Sequence, residues 1–143
     1  MRMLAALSWF VLAGSVYGSA GSGCSKSRDE ARPEAAQPSI AAVSVDELDR
    51  LLAHQDCLAV DANGDATRRR MGVIPGAVLL TDDSIDKLPP DRSKSLVFYC
   101  ANEACRSSHD AAAKASLAGY THVKVMPAGI AGWVRAGKQT SSI

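Results

Sequence analysis

The sequence predicts an α/β domain with a mainly parallel central sheet flanked by helices on both faces, on two observations. From Val43 onward, short apolar, β-prone runs alternate with helical patterns, and such alternation builds parallel strands joined by right-handed crossovers. The run Leu96-Val97-Phe98-Tyr99 is apolar at every position. A strand of that kind suits a sheet covered on both faces.

Ser44-Val45-Asp46-Glu47 is a capping box, and Val45, Leu48, Leu51 and Leu52 share one face of the helix it opens. Leu58 to Asp61 is a short buried strand, with Cys57 beside it as a small core residue. Ala62-Asn63-Gly64-Asp65 carries turn signals, and Thr67 to Met71 makes a helical turn. Gly72-Val73-Ile74-Pro75-Gly76-Ala77 is a rigid turn into the strand Val78-Leu79-Leu80. Asp82 to Leu88 is expected to form a short helix, stopped by Pro89-Pro90. After the Leu96 strand and a polar loop, an alanine-rich helix runs from about Ser107 to Ala118 and stops at Gly119. Val123 to Met126 is a fourth strand, and Ile130 to Ala136 a last short helix.

At 143 residues the chain has room for one domain of ordinary size. Its net charge is +1, and its one basic run, Arg68-Arg69-Arg70, has no interleaved aromatics. That argues against nucleic-acid binding and assigns those arginines to a solvated loop or helix end. Aromatics make up only 5% of the residues, so Val, Leu, Ile and Ala must build the core.

Residues 1–23 read as an export signal: Arg2 is the positive region, Leu4 to Ala13 an apolar run, and small residues follow to Ala20. The run is short for a transmembrane span. Gly21-Ser22-Gly23-Cys24 resembles a bacterial lipobox, departing from it at Gly21, and the resemblance implies lipidation at Cys24. Cleavage after Ala20 and an uncleaved anchor are the alternatives. All three place the domain outside the cytoplasm, at the periplasmic side or cell envelope, and the first ties it to a bacterial membrane. Residues 24–42 are a polar tether bearing Pro33 and Pro38, and 43–143 the folded domain, with order expected from near Val43.

Besides Cys24 the cysteines are Cys57, Cys100 and Cys105, an odd number that cannot form a closed disulfide framework. Cys100 and Cys105 lie five apart in one loop and can reach each other. His54, His109 and His122 are scattered, with no zinc-like spacing, so neither a metal nor another cofactor is expected.

The chemistry concentrates between Val97 and Ala112. There a strand ends at Cys100, a polar loop follows, and a helix starts. Unpaired N–H groups and the helix dipole favour negative charge at such a point, and are expected to lower the Cys100 pKa. A plain alternative is a buried strand cysteine before a polar turn. Ser107 and Ser108 read first as N-cap residues, with contact to the sulfur secondary. His109 reads as solvated, and Asp61 as a structural residue that hydrogen-bonds backbone near the loop. Arg106 either binds a substrate anion or covers the outer surface of the loop. Trp133 and Ile130 read as core or pocket wall.

Several motifs together resemble the rhodanese family: Val60-Asp61 followed by Gly72 to Ala77, Phe98-Tyr99-Cys100 with Ser108, Gly119 to Val123, and Ala128-Gly129-Ile130-Ala131-Gly132-Trp133 with Ala136-Gly137. The resemblance implies a rhodanese-like fold and a sulfurtransferase in which Cys100 accepts sulfane sulfur from a thiosulfate-like donor. The resulting persulfide passes the sulfur to a thiol or cyanide. Loop N–H groups from about Ala101 through Asn102, Glu103, Ala104 and Cys105 to Arg106, with Ser107, would then converge on the terminal sulfur. Asp61 and Ser108 would support the loop.

The sequence departs from the family pattern at three places. Asn63 stands where an arginine follows the first aspartate, and Val73 replaces a histidine. Arg106 lies six residues after Cys100 rather than five. The last spacing is that of cysteine-dependent phosphatases and some arsenate reductases, in which Cys105 would resemble a resolving cysteine. Tyr99, however, stands where such phosphatases carry histidine. A non-catalytic or redox-sensing module, with Cys105 as redox partner of Cys100, is a further alternative.

Overall fold

The computed structural model describes residues 39–81 and 84–143. Residues 1–38, which include the expected export signal, Cys24 and most of the expected tether, lie outside the described residues, as do Asp82 and Asp83. In chain order the elements are β1 (Ala41–Ala42), α1 (Val45–Ala53), β2 (Leu58–Asp61), α2 (Asp65–Met71), β3 (Val78–Leu79), β4 (Ser95–Tyr99), α3 (Ser107–Leu117), β5 (His122–Val125) and α4 (Gly129–Arg135). Five strands form one sheet in the order β1-β5-β4-β2-β3. Every neighbouring pair is parallel.

Two buried clusters sandwich the sheet. On one face Leu48 of α1 and Ile130 and Trp133 of α4 pack with Ala59, Val97 and Tyr99. On the other, Ala111, Ala112 and Ala115 of α3 pack with Val60, Leu96 and Phe98. β4 therefore buries successive side chains on opposite faces, which is why its sequence is apolar throughout. Small alanines let α3 lie close over the strands.

Ser44 caps α1 as expected, its hydroxyl accepting the Glu47 N–H at 3.1 Å. Leu48 is fully buried, a burial that contributes about 2 kcal/mol. Gly119 ends α3 with φ +96°, a left-handed conformation that only glycine adopts without cost.

Three expectations need correction. β1 pairs Ala41 and Ala42 with Lys124 and Val125, so order begins before Val43; two alanines carry no strand pattern to read. The helix expected over 82–88 is absent from its described part: residues 84–88 form a bridge, a turn and a bend. There the Ser84 hydroxyl accepts the Asp86 N–H at 3.2 Å, a local side-chain bond that competes with helix. The helical turn expected from Thr67 starts earlier, at Asp65, with Gly64 as N-cap.

Candidate active site

The site forms where β4 and β2 end side by side, Asp61 opposite Tyr99 in the register. Ligands bind at this carboxyl edge of parallel sheets. Cys100 follows directly and is 1% exposed. Its Sγ lies 3.2 Å from Ser108 Oγ and 3.2 Å from the Cys105 carbonyl oxygen. The Ser108 N–H also donates to this sulfur.

Two devices shape the loop. Asn102 closes it from within: its carbonyl accepts the Cys105 N–H at 3.0 Å, and its Oδ1 accepts the Ala104 N–H at 3.0 Å. From outside, α4 holds its first peptides. The Ile130 N–H donates to the Cys100 carbonyl at 2.8 Å, and the Ala131 N–H to the Ala101 carbonyl at 3.0 Å. In a trans peptide the carbonyl and the next N–H point oppositely. The Ala101 and Asn102 N–H groups are thereby turned away from α4.

This docking requires Gly129. Its φ is +62°, and a Cβ there would stand 2.6 Å from Cys100 O, Ala101 C and Asn102 N.

The charge at the site lies differently from expectation. Burial pushes the Cys100 thiol above its ordinary pKa, and its hydrogen bond to Cys105 adds to this, while Ser108 pulls it down. Burial acts on Cys105 in the same direction, but hydrogen bonds from Cys100, the Ala101 N–H and Ser107 outweigh it and hold that thiol below its ordinary value. A single negative charge therefore settles first on Cys105. The sequence placed Cys100 correctly at a helix start, but its depth in the sheet outweighs the dipole.

Beside the loop, a buried charged cluster locks the end of β2. Asp61, wholly buried, accepts the Asn63 N–H at 2.7 Å and the Arg68 Nε–H at 3.1 Å. Arg68 also donates to the carbonyls of Leu80 at 2.6 Å and Asp61 at 3.2 Å. The Tyr99 hydroxyl accepts the Ile74 N–H at 3.0 Å and hydrogen-bonds to Asp61. Burial, then the Asp61 charge, push that phenol far above its ordinary pKa. It stays protonated, a donor to the carboxylate.

The residue before Cys100 is thus pinned by the aspartate expected to support the loop. Asp61 acts through Tyr99 rather than on the loop's own backbone.

The family model for the rhodanese-like domain matches residues 44–136. The chain belongs to the rhodanese-like family. Its solved likenesses include a Rhodopseudomonas palustris protein of unknown function described as a possible tyrosine phosphatase. The two are 27% identical, with a TM-score of 0.61, over 72% of this chain and 86% of that one. The rhodanese-like domain of an Anabaena protein is 22% identical, with a TM-score of 0.61, over 71% and 79% of the two chains. A thiosulfate sulfurtransferase from Pseudomonas aeruginosa is 22% identical with a TM-score of 0.57, over 72% of this chain but only 20% of that one. No curated protein matches the chain.

Within this rhodanese-like domain the remaining predicted residues are placed as follows. Arg106, not Ser107 or Ser108, is the N-cap of α3. Its carbonyl accepts the His109 and Asp110 N–H groups at 2.9 and 3.0 Å, while its side chain is exposed. Ser108, one position further into the helix than a cap, turns inward, so sulfur contact is its main role rather than a secondary one. Asn102, Glu103 and Ala104 are exposed. With Ala128 and Arg135 they line a cavity of about 290 Å³. His109 is exposed, and Ile130 and Trp133 are buried. Cys57 is buried, its pKa pushed up to about 11 chiefly by burial.

Sequence reasoning missed two residues. Arg68 lies in a run that reads as solvated, but it is 5% exposed, and it brings to Asp61 the guanidinium that Asn63 lacks. Gly129 reads from the sequence only as part of a motif. A buried aspartate without a nearby cation was the available signal for the first, and none existed for the second.

Proposed function

We propose that the chain is a sulfurtransferase, moving sulfane sulfur from a small anionic donor of the thiosulfate kind through a Cys100 persulfide to an acceptor thiol or cyanide. One observation carries the choice of substrate. The loop has the wider spacing seen in oxyanion enzymes, but Asn102 draws the Ala104 and Cys105 N–H groups back into the loop. The donors left to face a ligand suit one sulfur atom better than a tetrahedral oxyanion.

Cys100 reacts as its thiolate, the less populated of the two singly ionised forms of the thiol pair. The Ser108 hydroxyl and N–H at the start of α3 stabilise the thiolate. That thiolate attacks the outer sulfur of thiosulfate, an S–S bond forms as the donor's S–S bond breaks, and sulfite leaves with the bonding pair. The Asn102 N–H, turned away from α4, is the donor left to hold the terminal sulfur, as preorganised donors do in oxyanion holes. An acceptor thiolate or cyanide then takes that sulfur and returns Cys100 as thiolate. Arg106 at the end of the loop and Arg135 on the neighbouring cavity are exposed cations suited to draw in an anion.

Export and lipid attachment at Cys24 belong to the same proposal, supported by Arg2, the apolar run and the lipobox resemblance. The domain would then work at the outer side of a bacterial membrane. Fractionation of the wild type against Cys24→Ala checks this. Equal release of both into the soluble fraction would contradict it.

The phosphatase-like spacing Cys100-x5-Arg106 supports a second reading, oxyanion chemistry, and the Rhodopseudomonas palustris likeness is described as a possible tyrosine phosphatase. Thiosulfate:cyanide and aryl-phosphate assays of the reduced chain, beside Cys100→Ser, separate the two. We expect thiocyanate from the wild type only and no phosphate release. Phosphate release that Cys100→Ser abolishes, without thiocyanate, would overturn the proposal.

A further inference from the structure

The transfer described above uses one of two thiols that share the loop. Cys105 is partly exposed. Its carbonyl oxygen sits 3.2 Å from Cys100 Sγ, and the two thiols are hydrogen-bonded to each other. The Asn102 turn makes this meeting possible by folding residues 102–105 back on themselves. Ser107, which opens α3, and the Ala101 N–H then donate to the Cys105 sulfur. A nucleophile in contact with the atom that will carry a persulfide is placed to attack that atom with no diffusion required.

We propose that Cys105 is the resolving thiol for the Cys100 persulfide, displacing the transferred sulfur as hydrosulfide and leaving a Cys100–Cys105 disulfide. The inference rests on the sulfurtransferase reading above. The Cys105 thiolate attacks Cys100 Sγ, the inner sulfur of the persulfide. The proton of the Cys105 thiol passes to the outer sulfur, a Cys100–Cys105 S–S bond forms as the bond to the outer sulfur breaks, and that sulfur leaves with the electron pair as HS⁻. The two cysteine thiols are oxidised by two electrons, and the sulfane sulfur is reduced by two. A small external dithiol then reduces the disulfide, itself becoming a disulfide, and the site is reset.

Three features favour attack at the inner sulfur. Cys105 already touches Cys100 Sγ. Its own thiol is held below the ordinary value, so it is the better populated thiolate. Hydrosulfide is also a less basic leaving group than the desolvated Cys100 thiolate, and the less basic group leaves faster. The exposure of Cys105 gives the reductant access to the disulfide, whereas Cys57 is buried away from the loop and takes no part.

Single-turnover chemistry tests this on the full chain, reduced, desalted and given thiosulfate with no acceptor. The wild type should release sulfite and one equivalent of sulfide per reacting chain, lose its two loop thiols, and recover them on adding dithiothreitol. Cys105→Ser and Cys105→Ala should release sulfite, keep one added sulfur on Cys100, give no sulfide, and still form thiocyanate with cyanide. A wild type that keeps a stable persulfide, or variants that release as much sulfide as the wild type, would overturn the proposal. Absence of sulfite from wild type and variants alike would remove the sulfurtransferase reading and this inference with it. The sulfite measurement thus separates the two failures.

Discussion

β2 and β4 lie side by side and end level with each other, yet they release the chain in opposite ways. After β2, a carboxylate, an amide and a guanidinium close on one another, and Arg68 also takes the Leu80 carbonyl at 2.6 Å. Among the described residues no buried side-chain nitrogen or oxygen lacks a hydrogen-bond partner. After β4 the chain instead presents a buried thiol with a hydroxyl and a carbonyl at 3.2 Å and a second thiol alongside. One strand end holds charges that cancel; the other holds sulfur atoms that can exchange bonds. Tyr99 connects them, its hydroxyl on Asp61 and its carbonyl accepting the Ala62 N–H at 2.9 Å. Rigidity sits one residue away from reactivity, so the reactive sulfur is positioned without a charged group of its own.

The contrast is broken most severely at Arg68. Replacing it with alanine leaves the Asp61 carboxylate buried without its cation, which should cost about 3–5 kcal/mol of stability, read as a fall in the denaturant midpoint. Arg68→Lys should recover only part of this, since one ammonium cannot meet Asp61 and the Leu80 carbonyl with the same geometry.

Gly129→Ala attacks the other strand end. The added Cβ meets loop backbone at 2.6 Å at a positive φ, so about 2–3 kcal/mol of strain is expected, with α4 displaced from the loop. Here sulfur transfer should fall further than stability predicts, because the Ala101 and Asn102 amides lose their orientation.

Ser108→Ala is milder. It removes one hydrogen bond to the Cys100 sulfur, so transfer should slow by about tenfold while stability changes by about 1 kcal/mol. The smallest perturbation is chemical labelling. Limited alkylation of the reduced protein near neutral pH, mapped by mass, should modify Cys105 first and Cys100 next. Cys57, buried and with its pKa near 11, should stay unlabelled until strongly alkaline pH. Early labelling of Cys57 would contradict the site assignment.

The sheet was legible because its strands are written in residue type: Leu58 to Val60 and Leu96 to Tyr99 carry continuous apolar runs, and Gly119 marks the end of α3 where the chain needs a positive φ. The position of Cys100 was legible for the same reason, since a strand followed by a helix leaves only one place for the connecting loop. What stayed hidden depends on contacts distant in sequence. Ala41 and Ala42 become a strand only because β5 offers an edge. Arg68 is buried by a carboxylate seven residues earlier and a carbonyl twelve later, which a run of three arginines does not reveal. The ordering of the two thiols depends on which N–H groups Asn102 and α4 turn towards which sulfur, and no local pattern encodes that.

The central claim is that Cys100 accepts the sulfur, and peptide-level mass mapping after thiosulfate treatment tests it most directly. In Cys105→Ser protein, where no neighbouring thiol can resolve the persulfide, one added sulfur should appear on the peptide bearing Cys100 and vanish when cyanide is added. Sulfur found on Cys57, or on no cysteine while sulfite is released, would contradict the account.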